Sequence, residues 1–413
     1  LIENRKISNM NNFYKTLTIA FLSAFVFGLV MQSIPPILPI LIEEMGLSHT
    51  QGGALMSLFA LPGIFFSIPG GVLADFYGPR KIGIYSLLIM FAGMLIVATG
   101  TSYTTLALGR FIAGIGGTTI IIIAAQSISG GFEGNKSRGI GLGIFNAGVP
   151  AGVIFSLNVF NRLAVAWDNW QLPVLVSAFF CLVVLLLLWR YREFESAINS
   201  SEEKAGFHKE RPDYLESFRN LGSYGIVWIV GLIWFLFMCA RTASLTFGPD
   251  FFITVGYGYA YAGFLASLFT LGSLYVSPIA GYIIDKTGRT ELYLIAGGAI
   301  LTLLHVLLVT SPWHFPIAFI IGVAGALFPF SVFYLIPLLL PQEKLGKGLG
   351  VLRICDNAGI LIGPFFVGLV YDLTISYFYC FMLIAAFYLG TAASSVALKF
   401  SLKKTPSLEK NYE

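Results

Sequence analysis

Twelve stretches of this chain run close to or beyond about 20 residues with almost no charge, the length a helix needs to cross a bilayer core of about 30 Å. They fall at 14–42, 51–74, 82–100, 103–128, 139–161, 170–190, 222–248, 258–284, 291–310, 315–340, 347–371 and 375–398. In hydrocarbon, every backbone N–H and C=O must be satisfied inside its own segment, so each stretch is expected as a helix. The fold expected is an all-α polytopic membrane protein. Composition agrees: 56% of residues are apolar and only 11% charged, where a soluble domain carries about a quarter. The net charge of +4 is small, and nothing points to a nucleic-acid partner. Cys181, Cys239, Cys355 and Cys380 all sit in apolar segments without metal-ligand spacing. They read as small buried apolar residues, and neither a metal nor a cofactor is expected. The first apolar stretch is too long for a signal-peptide core and runs on into a second span, so it is read as retained. Leu1 to Asn9 precede Met10 and stay outside the fold argument.

The longest polar segment, 191–221, splits the spans six and six. The expected organisation is a tail over 1–13, a six-helix bundle over 14–190, a central loop over 191–221, a second bundle over 222–398 and a tail over 399–413. Lys and Arg set the orientation. With the N-terminus inside, the inner loops and tails hold 21 of the 25 basic residues, the outer loops only Arg162, and three arginines lie at membrane depth. Such a bias places both termini and the central loop in the cytoplasm, and the chain in the inner or plasma membrane as a multi-pass protein.

The two halves repeat. Gly71, Asp75 and Gly78 recur as Gly281, Asp285 and Gly288 at an offset of 210; Lys136, Gly139, Asn146, Gly148 and Gly152 recur as Lys347, Gly350, Asn357, Gly359 and Gly363 at 211. Six spans per half make both halves insert alike, which gives two parallel pseudo-repeats about an axis along the membrane normal. That architecture puts a substrate site near the midplane.

"GGVLADFYGPRK", Gly70 to Lys81, resembles the loop motif between the second and third spans of the major facilitator superfamily. "LALGRFIAGIGG", with Arg110 followed by close-set glycines, resembles that superfamily's fourth-span motif. The resemblance runs from Tyr14 to Phe400 and implies a secondary transporter of twelve helices. Phe76 stands where the family often has Arg, and Thr290 where the first copy has Arg80, with Arg289 beside it. Gly78 allows the positive φ of a tight turn, and Gly71 is read as letting another helix approach. The resemblance implies a cytoplasmic gate. Asp75, with Arg80 and Lys81, would latch onto the eleventh span, and Asp285, with Gly281, Gly288 and Arg289, onto the fifth.

Ionisable groups at membrane depth are functional candidates. They are Arg110 in span four, Arg241 in span seven, Arg353 and Asp356 in span eleven and His305 in span nine, with Asp250 near an outer helix end. At about 1.5 Å per residue, Arg110 and Arg241 both fall roughly 10 Å from the outer side. At the repeat offsets Arg241 matches Met31 and Arg353 matches Leu142, so these charges are not duplicated. Scaffold charges repeat; a ligand site need not. Three guanidinium groups against one carboxylate predict an anionic substrate, because the planar fork of arginine engages oxyanions in pairs. Arg110 has a structural or proton-linked reading beside the ligand reading. Arg353 and Asp356, three apart on one helix, also read as neutralising each other. His305 reads as a satisfied core histidine. Weaker cavity candidates are Gln32, Gln126, Asn146, Asn357, Phe330 and Tyr334.

The spans around Arg241 and "GVAGALFPFS" are similar to the nitrate/nitrite and cyanate-type anion porters of the superfamily. The reading is a monomeric transporter moving a small anionic solute by alternating access, with Asp356 or Asp250 as proton-coupling candidates. Two alternatives stay open. One is a proton-driven exporter of amphipathic drugs or peptide-like metabolites; the other is a sensor without net flux. Nothing in the sequence suggests an enzyme.

Overall fold

The computed structural model describes residues 2–130, 135–191, 225–340 and 345–403, and every regular element among them is helical. In chain order these are α1 (Ile2–Met31), a 3-10 turn (Pro35–Ile37), α2 (Leu38–Met45), α3 (His49–Tyr77), α4 (Pro79–Thr99), α5 (Tyr103–Gly130), α6 (Asn135–Trp167) and α7 (Gln171–Arg190). The second half continues with α8 (Gly225–Thr254), α9 (Tyr259–Thr287), α10 (Thr290–Thr310), α11 (His314–Gly325), α12 (Leu327–Leu339), α13 (Leu345–Thr374) and α14 (Tyr377–Lys403). Each expected span has its helix. Span one is interrupted between α1 and α2, and span ten between α11 and α12. Eleven spans among the described residues are long and apolar enough to cross a membrane, and α3, with 29 residues, stands in the place of the second. The expected N-terminal tail is instead helical from Ile2 onward. Most of the central loop and the end of the C-terminal tail lie outside the described residues.

The chain divides into two compact units, residues 1–45 with 58–210, and residues 46–57 with 211–413. The first turns of α3 therefore cluster with the second unit. Inside each unit the helices approach through small residues, the usual device where apolar side chains gain nothing over lipid. A Cβ on Gly148 would lie 2.7 Å from both the Phe21 carbonyl oxygen and the Ala24 Cβ; one on Gly359 would lie 2.7 Å from the Phe235 oxygen and the Met238 Cβ. Gly152 and Gly363 close on the carbonyls of Phe25 and Cys239 in the same way. The repeated glycines thus build one crossing twice, α1 with α6 and α8 with α13. The crossing also corrects a register. Phe21, Ala24 and Phe25 correspond to Phe235, Met238 and Cys239 at a constant offset of 214. The counterpart of Arg241 is therefore Phe27, not Met31. Its charge remains unduplicated.

Candidate functional site

In the first unit the break in span one determines what Arg110 does. Pro35 and Pro36 carry no N–H, so in a continuous helix the carbonyls of Met31 and Gln32 would lose their partners. Arg110 Nη2 donates to the Met31 oxygen at 2.9 Å, and Ser156 Oγ to the Gln32 oxygen at 2.7 Å. Arg110 Nη1 donates to the Val30 oxygen at 2.6 Å and meets Ser33 Oγ at 3.3 Å. The guanidinium also lies 4.7 Å over the Phe59 ring. Arg110 is wholly buried. Its donors serve the exposed carbonyl end of α1, where a cation is also favoured by the helix dipole. Gln32 is buried at the same break.

The second unit holds the other deep charges. Arg241 lies 13 residues from the end of α8, which continues to Thr254. At about 1.5 Å per residue that is roughly 20 Å, against about 10 Å for Arg110 from the start of α5. Measured from its own helix end, Arg241 is deeper than its apolar stretch suggested, because α8 outruns that stretch. Arg241 is partly exposed. It lies within electrostatic reach of Asp356 and Tyr388, yet it closes no hydrogen bond or ion pair on either of them. Asp356 accepts from Trp234 Nε1 at 3.1 Å and sits 3.6 Å from Arg353 Nη1. Arg353 is half exposed, at 51% of its side chain, while Asp356 is 17% exposed. Tyr388 bonds Ser244, which also meets His305 Nε2 at 3.0 Å. His305 Nδ1 faces the Leu301 oxygen at 2.8 Å. Both ring nitrogens of this buried histidine are engaged. The cluster around Arg241 thus draws on α8, α13 and α14, and Trp234 and Tyr388 are members that charge counting did not find. Their signal was available: a buried Trp or Tyr needs a partner for its polar end.

The weaker candidates separate. Asn357 donates to the Arg353 oxygen at 2.9 Å, one turn back on α13. Asn146 is exposed on α6. Gln126 lies at the far end of α5 from Arg110, with its Nε2 3.8 Å from where a Gly71 Cβ would stand, so it belongs with the motif turn rather than with a midplane site. On α12, Phe330 and Tyr334 are partly exposed. Phe333, between them, is the residue whose ring meets Trp234, at 5.6 Å. Asp250 is buried, and bonds His49 and Tyr377.

At the motif turns Gly78 has φ +87° and Gly288 φ +63°, the left-handed backbone that glycine adopts without cost. Gly71 has a different role from the one expected. A Cβ there would meet only ordinary contacts at 3.8 Å, from Ile122 and Gln126. Arg80 caps the C-terminus of α7, donating to the carbonyls of Leu188, Trp189 and Tyr191 at 3.3, 2.5 and 3.1 Å. Lys81 Nζ lies 5.8 Å over the Tyr77 ring. The second copy differs: Arg289 is exposed and Thr290 is buried. The side chains of Asp75 and Asp285, and Gly281, lie outside the described part.

Models of the Major Facilitator Superfamily match residues 20–337 and 254–412. The lysosomal dipeptide transporter MFSD1 of Danio rerio is 22% identical over 351 residues, covering 80% of this chain and 74% of that protein. The uncharacterized MFS-type transporter YceJ of Bacillus subtilis (strain 168) is 24% identical over 371 residues, 85% of this chain and 87% of that one. Among solved structures, the peptide transporter POT in complex with sulfate superposes with a TM-score of 0.74 at 15% identity, over 95% of each chain.

Proposed function

The chain belongs to the Major Facilitator Superfamily, and we propose that it carries a small solute bearing a carboxylate, held by Arg241. At the coarser level it is a multi-pass membrane transporter of small molecules and not an enzyme. One observation carries the finer reading: Arg241 is a deep, partly exposed arginine whose donors close no hydrogen bond among the described residues, at a position the repeat does not duplicate. With Arg353 and Asp356 it forms a cluster of one net positive charge. A single carboxylate would neutralise that cluster and take a paired hydrogen bond from the guanidinium fork. Alternating access would expose the cluster to each side of the membrane in turn, with the turns at Gly78 and Gly288 serving the cytoplasmic gate. Asp356, beside Arg241, is the carboxylate whose protonation would most change the charge of the site. The charge bias of the loops supports a cell-membrane location with both termini inside, and each chain contains both halves of the repeat, in keeping with a monomer.

A second reading is favoured by the 3.6 Å distance between Arg353 and Asp356. This is a long, half-exposed pair, and a substrate ammonium could displace Arg353 from it. A zwitterion would then span Asp356 and Arg241, in line with the dipeptide transporters among the relatives. Uptake into proteoliposomes separates the readings. Simple carboxylates and dipeptides should both compete if the carboxylate suffices; dipeptides alone should compete if the ammonium is also read. Arg241→Ala should weaken saturable uptake of either about 10- to 100-fold in apparent affinity. Unchanged affinity in that variant sinks the assignment.

A further inference from the structure

The first turns of α3 end in a polar cluster that the reading above does not use. His49 Nε2 lies 3.0 Å from Asp250 Oδ2 of α8, and His49 Nδ1 lies 3.6 Å from Asp372 Oδ1 of α13. The imidazole stacks on Tyr371 with centroids 3.7 Å apart, and Tyr377 of α14 donates to Asp250. Cys380 of α14 is within electrostatic reach of both carboxylates. Asp372 also accepts from the backbone N–H of His49 and of Thr50, at 2.9 and 2.8 Å. It therefore caps the start of α3 from another helix, as an N-cap residue would from its own. Glycines bring the backbones together: a Cβ on Gly53 would lie 2.2 Å from the Pro364 oxygen, and one on Gly368 2.3 Å from the His49 oxygen. The side chains of His49, Asp250 and Asp372 are 14%, 11% and 27% exposed, so water screens them little.

We propose that His49 is a proton-binding site, and that its proton holds residues 46–57 against α8 and α13. Nε2 is within hydrogen-bond distance of Asp250, and Nδ1 faces Asp372 at ion-pair distance. A neutral imidazole carries one N–H, so a ring with a carboxylate at each nitrogen must point a lone pair at one of them. Only the imidazolium offers a donor to both. Asp250 and Asp372 are the anions that face it; Tyr371 and Tyr377 complete the wall and carry no positive charge. The sign follows directly. Proton binding favours the docked segment, so docking is strongest in acid and weakens as the proton is lost at higher pH. The cap from Asp372 to the α3 amides persists without the proton, so docking is weakened and not abolished. The proposal is independent of Arg241 and of the substrate.

Hydrogen exchange of the full-length protein in detergent tests it, read on the amides of 50–57 and normalised to intrinsic exchange. Protection in the wild type should be about tenfold lower at about pH 7.5 than at about pH 5.5, below the one-proton limit of about tenfold per pH unit. His49→Gln, which keeps a polar side chain without the titration, should flatten the profile while amides of Gly225–Thr254 keep their protection. Asp250→Asn removes one of the two anions and should shrink the pH dependence. A wild-type profile already flat in pH overturns the proposal. So does a pH dependence that survives in His49→Gln, or one left unaltered in Asp250→Asn.

Discussion

Arg110 and Arg241 are both arginines deep in long apolar helices, and the protein uses them in opposite ways. Arg110 has its donors on the last carbonyls of α1, one of them, Met31, left open by Pro35, and no surface of it is exposed. Arg241 has charge neighbours but no closed hydrogen bond to them, and part of it is accessible. Burying a guanidinium is expensive unless its hydrogen bonds are satisfied. The first arginine meets that condition inside the protein. The second meets it only if something else supplies an acceptor. Placement at membrane depth identifies neither role; the fate of the donors does.

The largest test of that contrast is Arg110→Leu. It strands the Met31 carbonyl in the core, at roughly 1–3 kcal/mol for one buried acceptor, and leaves Val30 only its bonds from Ser33. Thermal unfolding in detergent should show a large loss of stability or of folded yield, and near-wild-type stability would break the contrast from the structural side. Arg241→Ala should leave unfolding within about 1 kcal/mol of wild type, as for sites away from core features. Its saturable uptake should weaken about 10- to 100-fold in apparent affinity, the scale of a lost charge-assisted hydrogen bond. A stability loss as large as that of Arg110→Leu would make Arg241 a second scaffold group. Gly152→Leu and Gly363→Leu sharpen the comparison from the other direction, since the two units pack alike where they differ in charge. Each should cost about 1–3 kcal/mol by overpacking, and similar losses in both are expected from thermal scans. The smallest effect belongs to Gly71→Ala, within about 1 kcal/mol and of either sign, because the added Cβ finds ordinary room. Gly78→Ala, with φ +87°, should be measurably worse.

Much of the fold was legible because its signals are local. Hydropathy runs gave each span, glycines at Gly78 and Gly288 marked the turns, and the duplicated pairs Gly148/Gly359 and Gly152/Gly363 gave the repeat, which the structure shows to be one crossing built twice. Misreadings came where local signals stop. The extension of α8 to Thr254 was hidden because Pro249 and Asp250 look like an end. Gln126 is polar and on the right helix, but 16 residues of rise from Arg110 carry it to the motif end. Trp234, Phe333 and Tyr388 were lost among many aromatic residues, since composition does not say which ring faces a carboxylate.

By itself the sequence determined that this chain crosses a membrane as two related sets of helices, because apolar length and repetition are properties of neighbouring residues. Only tertiary structure decided which arginine is committed. Arg110 meets the end of α1 some 80 residues away, where Pro35 has freed the Met31 carbonyl, whereas Arg241 stands beside Asp356, more than a hundred residues on, without closing on it. Hydrogen bonds are short and directional, so the spending of a donor is fixed by contacts that no stretch of sequence contains.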